Sequence, residues 1–122
     1  MAATRRSSSR ERRIESEIVV DAYTAEERAL GWYYYVEERL GAPLMAQCIS
    51  ARSVSPLRKG EHVEIIGMAA EDDCRHELYV RIRWSGRTLA VPLAQLRLLD
   101  AEADAVQAVE DWHYWVAQHY EF

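Results

Sequence analysis

Apolar residues recur every three or four positions from Ile14 to Leu40, at Ile14, Ile18, Ala22, Ala25, Ala29, Trp32, Val36 and Leu40. That spacing keeps one face of a helix apolar throughout, so the rest of the chain must supply a surface for it to cover. Inside the run, Thr24-Ala25-Glu26-Glu27 is a capping-box pattern. The threonine hydroxyl takes a free backbone N–H and Glu27 reaches back toward the cap, which predicts two helices that break near Tyr23. Gly41-Ala42-Pro43 ends the run, because glycine suits a left-handed cap and proline cannot continue the hydrogen-bond ladder.

The covering surface is predicted to be a sheet. Residues 44–52, 62–68, 78–84 and 87–93 are short aliphatic and polar runs, and Tyr79-Val80-Arg81-Ile82-Arg83-Trp84 alternates strictly. Ser85-Gly86 is a two-residue hairpin turn. Pro92 marks a tight turn before a last short strand that runs through Leu99. From Asp100, a plausible N-cap, helical spacing returns with Val106, Val109, Trp112, Tyr114 and Val116. The expectation is an α+β fold, a small five-stranded SH3-like barrel flanked by two N-terminal helices and one C-terminal helix. Residues 1–10 read as a disordered basic tail and residues 11–122 as a single domain, the size that 122 residues allow.

Charge narrows the function. Residues 1–13 hold five arginines against Glu11, a net of +4, which leaves −9 on residues 14–122 of a chain whose total is −5. An acidic body repels phosphate backbones and anionic lipid and attracts cations, so no nucleic-acid or membrane partner is expected. The arginine head has no apolar stretch behind it of the kind a secretory signal needs, and a cytoplasmic location is expected. Cys48 and Cys74 are expected as reduced, buried thiols and are too few for a cysteine zinc site.

The densest carboxylates are Glu71, Asp72, Asp73 and Glu77, in a stretch between two predicted strands. Calcium takes about 6–8 oxygen ligands, often carboxylates on loops, and suits such a segment; a solvated polar turn is the plainer reading. Glu37 and Glu38 close the aromatic helix at its negative dipole end, where either Arg39 or a cation must compensate. Glu110 and Asp111 adjoin Trp112-His113-Tyr114-Trp115 on the last helix and could lend ligands or form its solvated face. No EF-hand pattern is present, and Cys74 with His76 is only a two-ligand fragment of a zinc site. No nucleophile with a base, no carboxylate cleft and no phosphate loop stands out, so no enzyme is expected. The aromatic blocks Trp32-Tyr33-Tyr34-Tyr35 and Trp112-His113-Tyr114-Trp115 are expected to pack on each other.

Several blocks in one order carry a family resemblance. They are Glu17-Ile18-Val19-Val20-Asp21-Ala22-Tyr23, Gly31-Trp32-Tyr33-Tyr34-Tyr35, Gly67-Met68-Ala69-Ala70-Glu71-Asp72-Asp73-Cys74, Leu89-Ala90-Val91-Pro92-Leu93 and Asp111-Trp112-His113-Tyr114-Trp115. Together they resemble the small bacterial calcium-binding proteins typified by the cyanobacterial CcbP, nearly end to end. The resemblance implies a Ca2+-binding protein outside the EF-hand class, acting as a cytosolic calcium buffer or signalling component. It carries over no ligand set; the eight acidic residues above are candidates from charge density alone. The arginine-rich head departs from the family pattern. A second reading is a protein–protein interaction module, in which the barrel docks a basic partner through exposed aromatics and acidic edges.

Overall fold

The computed structural model describes residues 8–119. Helix α1 (Ser8–Arg13) runs into one π-turn (Ile14–Ile18), and helix α2 spans Ala25–Leu40. Strands β1 (Leu44–Cys48), β2 (His62–Met68), β3 (Tyr79–Trp84), β4 (Arg87–Pro92) and β5 (Leu96–Leu98) precede helix α3 (Ala103–His119). Short 3-10 turns at Glu71–Cys74 and Leu93–Gln95 link β2 to β3 and β4 to β5. Residues 1–7 of the expected tail lie outside the described residues, whereas residues 8–10 are helical.

The local signals act as chemistry demands. Thr24 is extended and its hydroxyl accepts the Glu27 N–H at 3.1 Å, while the Glu27 carboxylate accepts the Tyr23 N–H at 3.1 Å. Gly41 closes α2 in the left-handed region at φ 64°. Ser85 and Gly86 take φ 48° and 78°, the backbone of a tight hairpin whose closing pair is Trp84 and Arg87. One cap differs from expectation. Asp100 has φ 49° and turns the chain, so α3 begins only at Ala103, with the Val106 N–H donating to the Glu102 carbonyl.

The five strands form one antiparallel sheet in the order β4-β3-β2-β1-β5. The sheet is open, with β4 and β5 at its two edges, so the expected SH3-like barrel is not closed. β5 has three residues, and its pairing is taken up by β1, with Ala46 opposite Leu98 and Cys48 opposite Leu96. The Leu93–Gln95 turn carries the chain from one edge of the sheet to the other, and α3 packs on that turn and on β5. Alternation along the strands buries Ala46, Cys48, Val63, Ile65, Val80, Ile82 and Val91 on the covered face. A register shift between Ile65 and Gly67 moves the inward position to Met68.

The helices cover that face through aromatics. Trp32 is fully buried, with ring centroids 5.2 Å from Trp112, 5.6 Å from Trp115 and 6.1 Å from Tyr35. The two aromatic blocks therefore pack together, in the offset and edge-on arrangements that ring quadrupoles favour. Gly31 makes the neighbouring contact possible. A Cβ there would overlap the Ile18 carbonyl, so α2 and the π-turn approach backbone to backbone.

The charged element of the core is Asp111, whose side chain is fully buried. Arg13 grips it in a bidentate pair, Nε to Oδ2 at 2.9 Å and Nη2 to Oδ1 at 2.6 Å. Arg10 Nη1 adds 2.7 Å to Oδ1, and the Tyr35 hydroxyl donates to Oδ2 at 3.0 Å. Burial first, and then donation to this carboxylate, push the Tyr35 phenol up to about 12. The same contacts clamp α1 onto α2 and α3, with Tyr114 donating to Glu11 at 2.5 Å beside them.

Replacing Asp111 with alanine leaves two guanidiniums and a phenol facing one another without their acceptor. The expected loss is about 3 kcal/mol of unfolding free energy, read from urea titration, against about 1 kcal/mol for Tyr35→Phe. His113 supplies a pH dependence. It is largely buried, donates to the Leu96 carbonyl at 2.7 Å, and burial lowers its pKa from 6.5. The unfolded chain then takes up this proton first, so the contribution is full above pH 6.5 and is lost as pH falls below it. Urea midpoints for His113→Gln should fall less steeply than those of the parent as the pH is lowered below 6.5.

Candidate functional site

Glu26, Leu30, Tyr33 and Glu37 follow one another at helical spacing and share one stripe of α2. Tyr33 docks that stripe onto the sheet by donating to the Ala69 carbonyl at 2.6 Å, just ahead of the Glu71–Cys74 turn. The turn is held at both ends. The Asp73 N–H donates to the Ala70 carbonyl at 2.9 Å, and the buried Cys74 thiol accepts the Tyr79 N–H at 3.3 Å. With its base fixed, the turn presents Glu71, Asp72 and Asp73 to solvent. Between stripe and turn lies a groove of about 210 Å³, lined by Glu26, Ala29, Leu30, Tyr33, Glu71, Asp72, Cys74 and Arg75.

The groove is electronegative. The Tyr33 phenol is raised above its usual range by burial first, and then by the negative fields of Glu37, Cys74 and Glu71, with Arg81 opposing. Glu37 from the helix and Glu71 from the turn thus act on the same hydroxyl. Neither carboxylate has an ion pair or side-chain hydrogen bond among the described residues, and the same holds for Glu26 and Asp73. Asp72 has an exposed partner in Arg75 at 3.4 Å.

The other four candidates fall elsewhere. Glu77 is held by both Arg52 nitrogens, at 2.8 and 2.7 Å, and is mostly buried. Asp111 is saturated by Arg10, Arg13 and Tyr35, so its oxygens are already spoken for. Glu110 is exposed, 3.9 Å from Arg10. Glu38 is exposed, 3.6 Å from Arg39. Arg39 also donates to the Tyr35 carbonyl and lies 4.0 Å over the Tyr35 ring, which supplies the compensation expected at the negative end of α2.

Among the described residues, no three His, Cys, Asp or Glu side chains are gathered closely enough to hold a metal. The donor set of the groove nevertheless suits a hard cation, since it offers exposed carboxylate oxygens and holds its one sulfur buried as a hydrogen-bond acceptor. Glu26 and Tyr33 were not candidates from sequence. Glu26 reads first as part of the helix cap, and only its 26-30-33-37 spacing with Glu37 gives it away.

A family model for calcium binding, named for CcbP, matches residues 12–116. The chain belongs to the CcbP family of calcium-binding proteins. The crystal structure of Anabaena CcbP is 37% identical, covers 100% of both chains and superposes with a TM-score of 0.86. A solved structure described as a calcium-binding protein in the calcium-binding form is 36% identical, again over 100% of both chains, with a TM-score of 0.86. No curated protein matches the chain. The open five-stranded sheet with its helices is therefore the CcbP fold. This is a calcium-binding family and not an enzyme class. No described helix is long and apolar enough to cross a membrane.

If Tyr33 docks the α2 stripe on the turn, Tyr33→Phe should cost about 1 kcal/mol in urea titration. Amide exchange at residues 69–75 should quicken with it. Tyr34→Phe, on the exposed side of the helix, should change neither.

Proposed function

We propose that this protein binds Ca2+ where α2 meets the acidic turn, with Glu37, Glu71, Asp72 and Asp73 as ligands and Glu26 at the rim. The observation that carries the reading is the groove that Glu26 and Tyr33 of α2 share with Glu71 and Asp72 of the turn, in which, among the described residues, no basic side chain is paired to Glu26 or Glu71. Carboxylates that face one groove repel, and a divalent ion with many oxygen ligands relieves that repulsion. Of the other sequence candidates, Glu77 and Asp111 serve as anchors of Arg52 and of the α1 clamp, while Glu38 and Glu110 remain outer acidic residues that raise local ion concentration.

Among the described residues no three of these carboxylate side chains are gathered closely enough to hold a metal, so ion binding would draw helix and turn toward each other. A site of that kind reports the ion through a change of state as well as storing it. We assign the protein the role of a cytoplasmic calcium buffer or signalling component. Two buried free cysteines and a strongly acidic body support that role.

Calorimetric titration of chelator-treated protein tests the site. Calcium should bind saturably and magnesium much more weakly. Glu37→Gln and Glu71→Gln should each weaken calcium about tenfold, or ~1.4 kcal/mol, while Glu15→Gln on the π-turn leaves it unchanged. Calcium should also bring the Tyr33 phenol back toward the usual tyrosine range, because it cancels the two fields that help raise it. Unchanged calcium affinity in both glutamine variants would place the ion elsewhere.

A further inference from the structure

Among the described residues that line the groove, Arg75 is the one with a positive side chain, and its position follows from the turn itself. A 3-10 turn has three residues per revolution, so side chains at i and i+3 eclipse. Asp72 and Arg75 hold that relation, and Arg75 continues the turn in right-handed helical conformation at φ −74° and ψ −30°. The guanidinium therefore stands beside the Asp72 carboxylate by construction, at 3.4 Å, with both side chains largely in solvent at 64% and 88% exposure. Cys74, buried between them in sequence, fixes the register by accepting the Tyr79 N–H.

An exposed pair of this kind contributes little to folding. Its effect on a doubly charged ion is larger, because an arriving Ca2+ must displace the guanidinium from Asp72 and then sit near a fixed positive charge. We infer that Arg75 is a tethered counter-ion that competes with calcium for Asp72 and sets the affinity of the groove below what its carboxylates alone would give. The inference rests on the calcium site proposed above. The mechanism is electrostatic and does not depend on ion size, so Arg75 weakens calcium and magnesium by the same factor and leaves the ratio between them unchanged. Salt attenuates the effect, since the pair and the ion are all solvent-exposed.

The test uses the full chain titrated calorimetrically with calcium and with magnesium, at low and at high potassium chloride. Arg75→Gln should tighten both ions about fivefold at low salt and about twofold or less at high salt. Arg75→Lys keeps the charge and should stay near the parent. Arg87→Gln makes the same change of net charge at the far end of the β3–β4 hairpin and should stay near the parent as well. Circular dichroism of each variant guards against a change of fold. Equal affinities in parent and Arg75→Gln, with Glu71→Gln still weakened, would overturn the inference and leave the calcium site standing. Equal tightening by Arg75→Gln and Arg87→Gln would reduce the effect to bulk charge and overturn it too. Loss of the Glu71→Gln effect would instead remove the site on which it rests.

Discussion

Asp111 carries a negative charge where water does not reach, and a charge so placed is tolerable only when cationic and polar donors fill its hydrogen-bonding capacity. Three segments are drawn in to do so. Arg10 and Arg13 come from α1, Tyr35 comes from α2, and the carboxylate itself projects from α3. Those bonds leave the relative placement of the helices little freedom. The tryptophans pack over the sheet beside them, with Trp32 at their centre. The orientation of the α2 stripe toward the acidic turn follows from the same arrangement, because Tyr33 lies two residues before Tyr35, on the opposite side of one rigid helix, so that fixing Tyr35 on Asp111 turns Tyr33 toward Ala69.

The acidic body thus divides its carboxylates between two uses. Those that meet arginine, Asp111 and Glu77, tie distant segments together and are withdrawn from solution chemistry. Among the described residues, Glu37, Glu71 and Asp73 have no such partner, and Asp72 has only the exposed Arg75. Burial beside a guanidinium, more than acidity, marks the structural carboxylates of this fold.

Much of the fold is legible in the sequence because its signals are local. Thr24 with Glu27, Gly41 and the Ser85-Gly86 turn each act within a few residues, and β2 follows the predicted span His62–Met68. What sequence could not give depends on partners far along the chain. Closure of the sheet turns on whether β4 and β5 meet, and the three-residue β5 spends its pairing on β1. Asp111 reads as a candidate ligand until its arginines, 98 and 101 residues away, are seen against it. Arg52 takes Glu77 out of the acidic cluster in the same way, from 25 residues off. Glu26 was hidden for the opposite reason, since a nearby capping pattern already accounted for it. The family, by contrast, was readable from ordered blocks such as the one from Gly67 to Cys74, whose residues build both the bulge and the turn.

The clamp on Asp111 also bears on how the protein can be trimmed. A shortened chain beginning at Arg12 would keep every carboxylate of the groove and every strand, yet it would lose Arg10 and Glu11. Asp111 would then hold one guanidinium where it now holds two, and Tyr114 would lose an acceptor. Such a fragment has an internal carboxylate with spare valence for a cation, and ion stoichiometries measured on it would describe the cut as much as the molecule. The helical turn that carries Arg10 and Glu11 is thus part of the ion-binding protein even though it lies far from the groove in sequence.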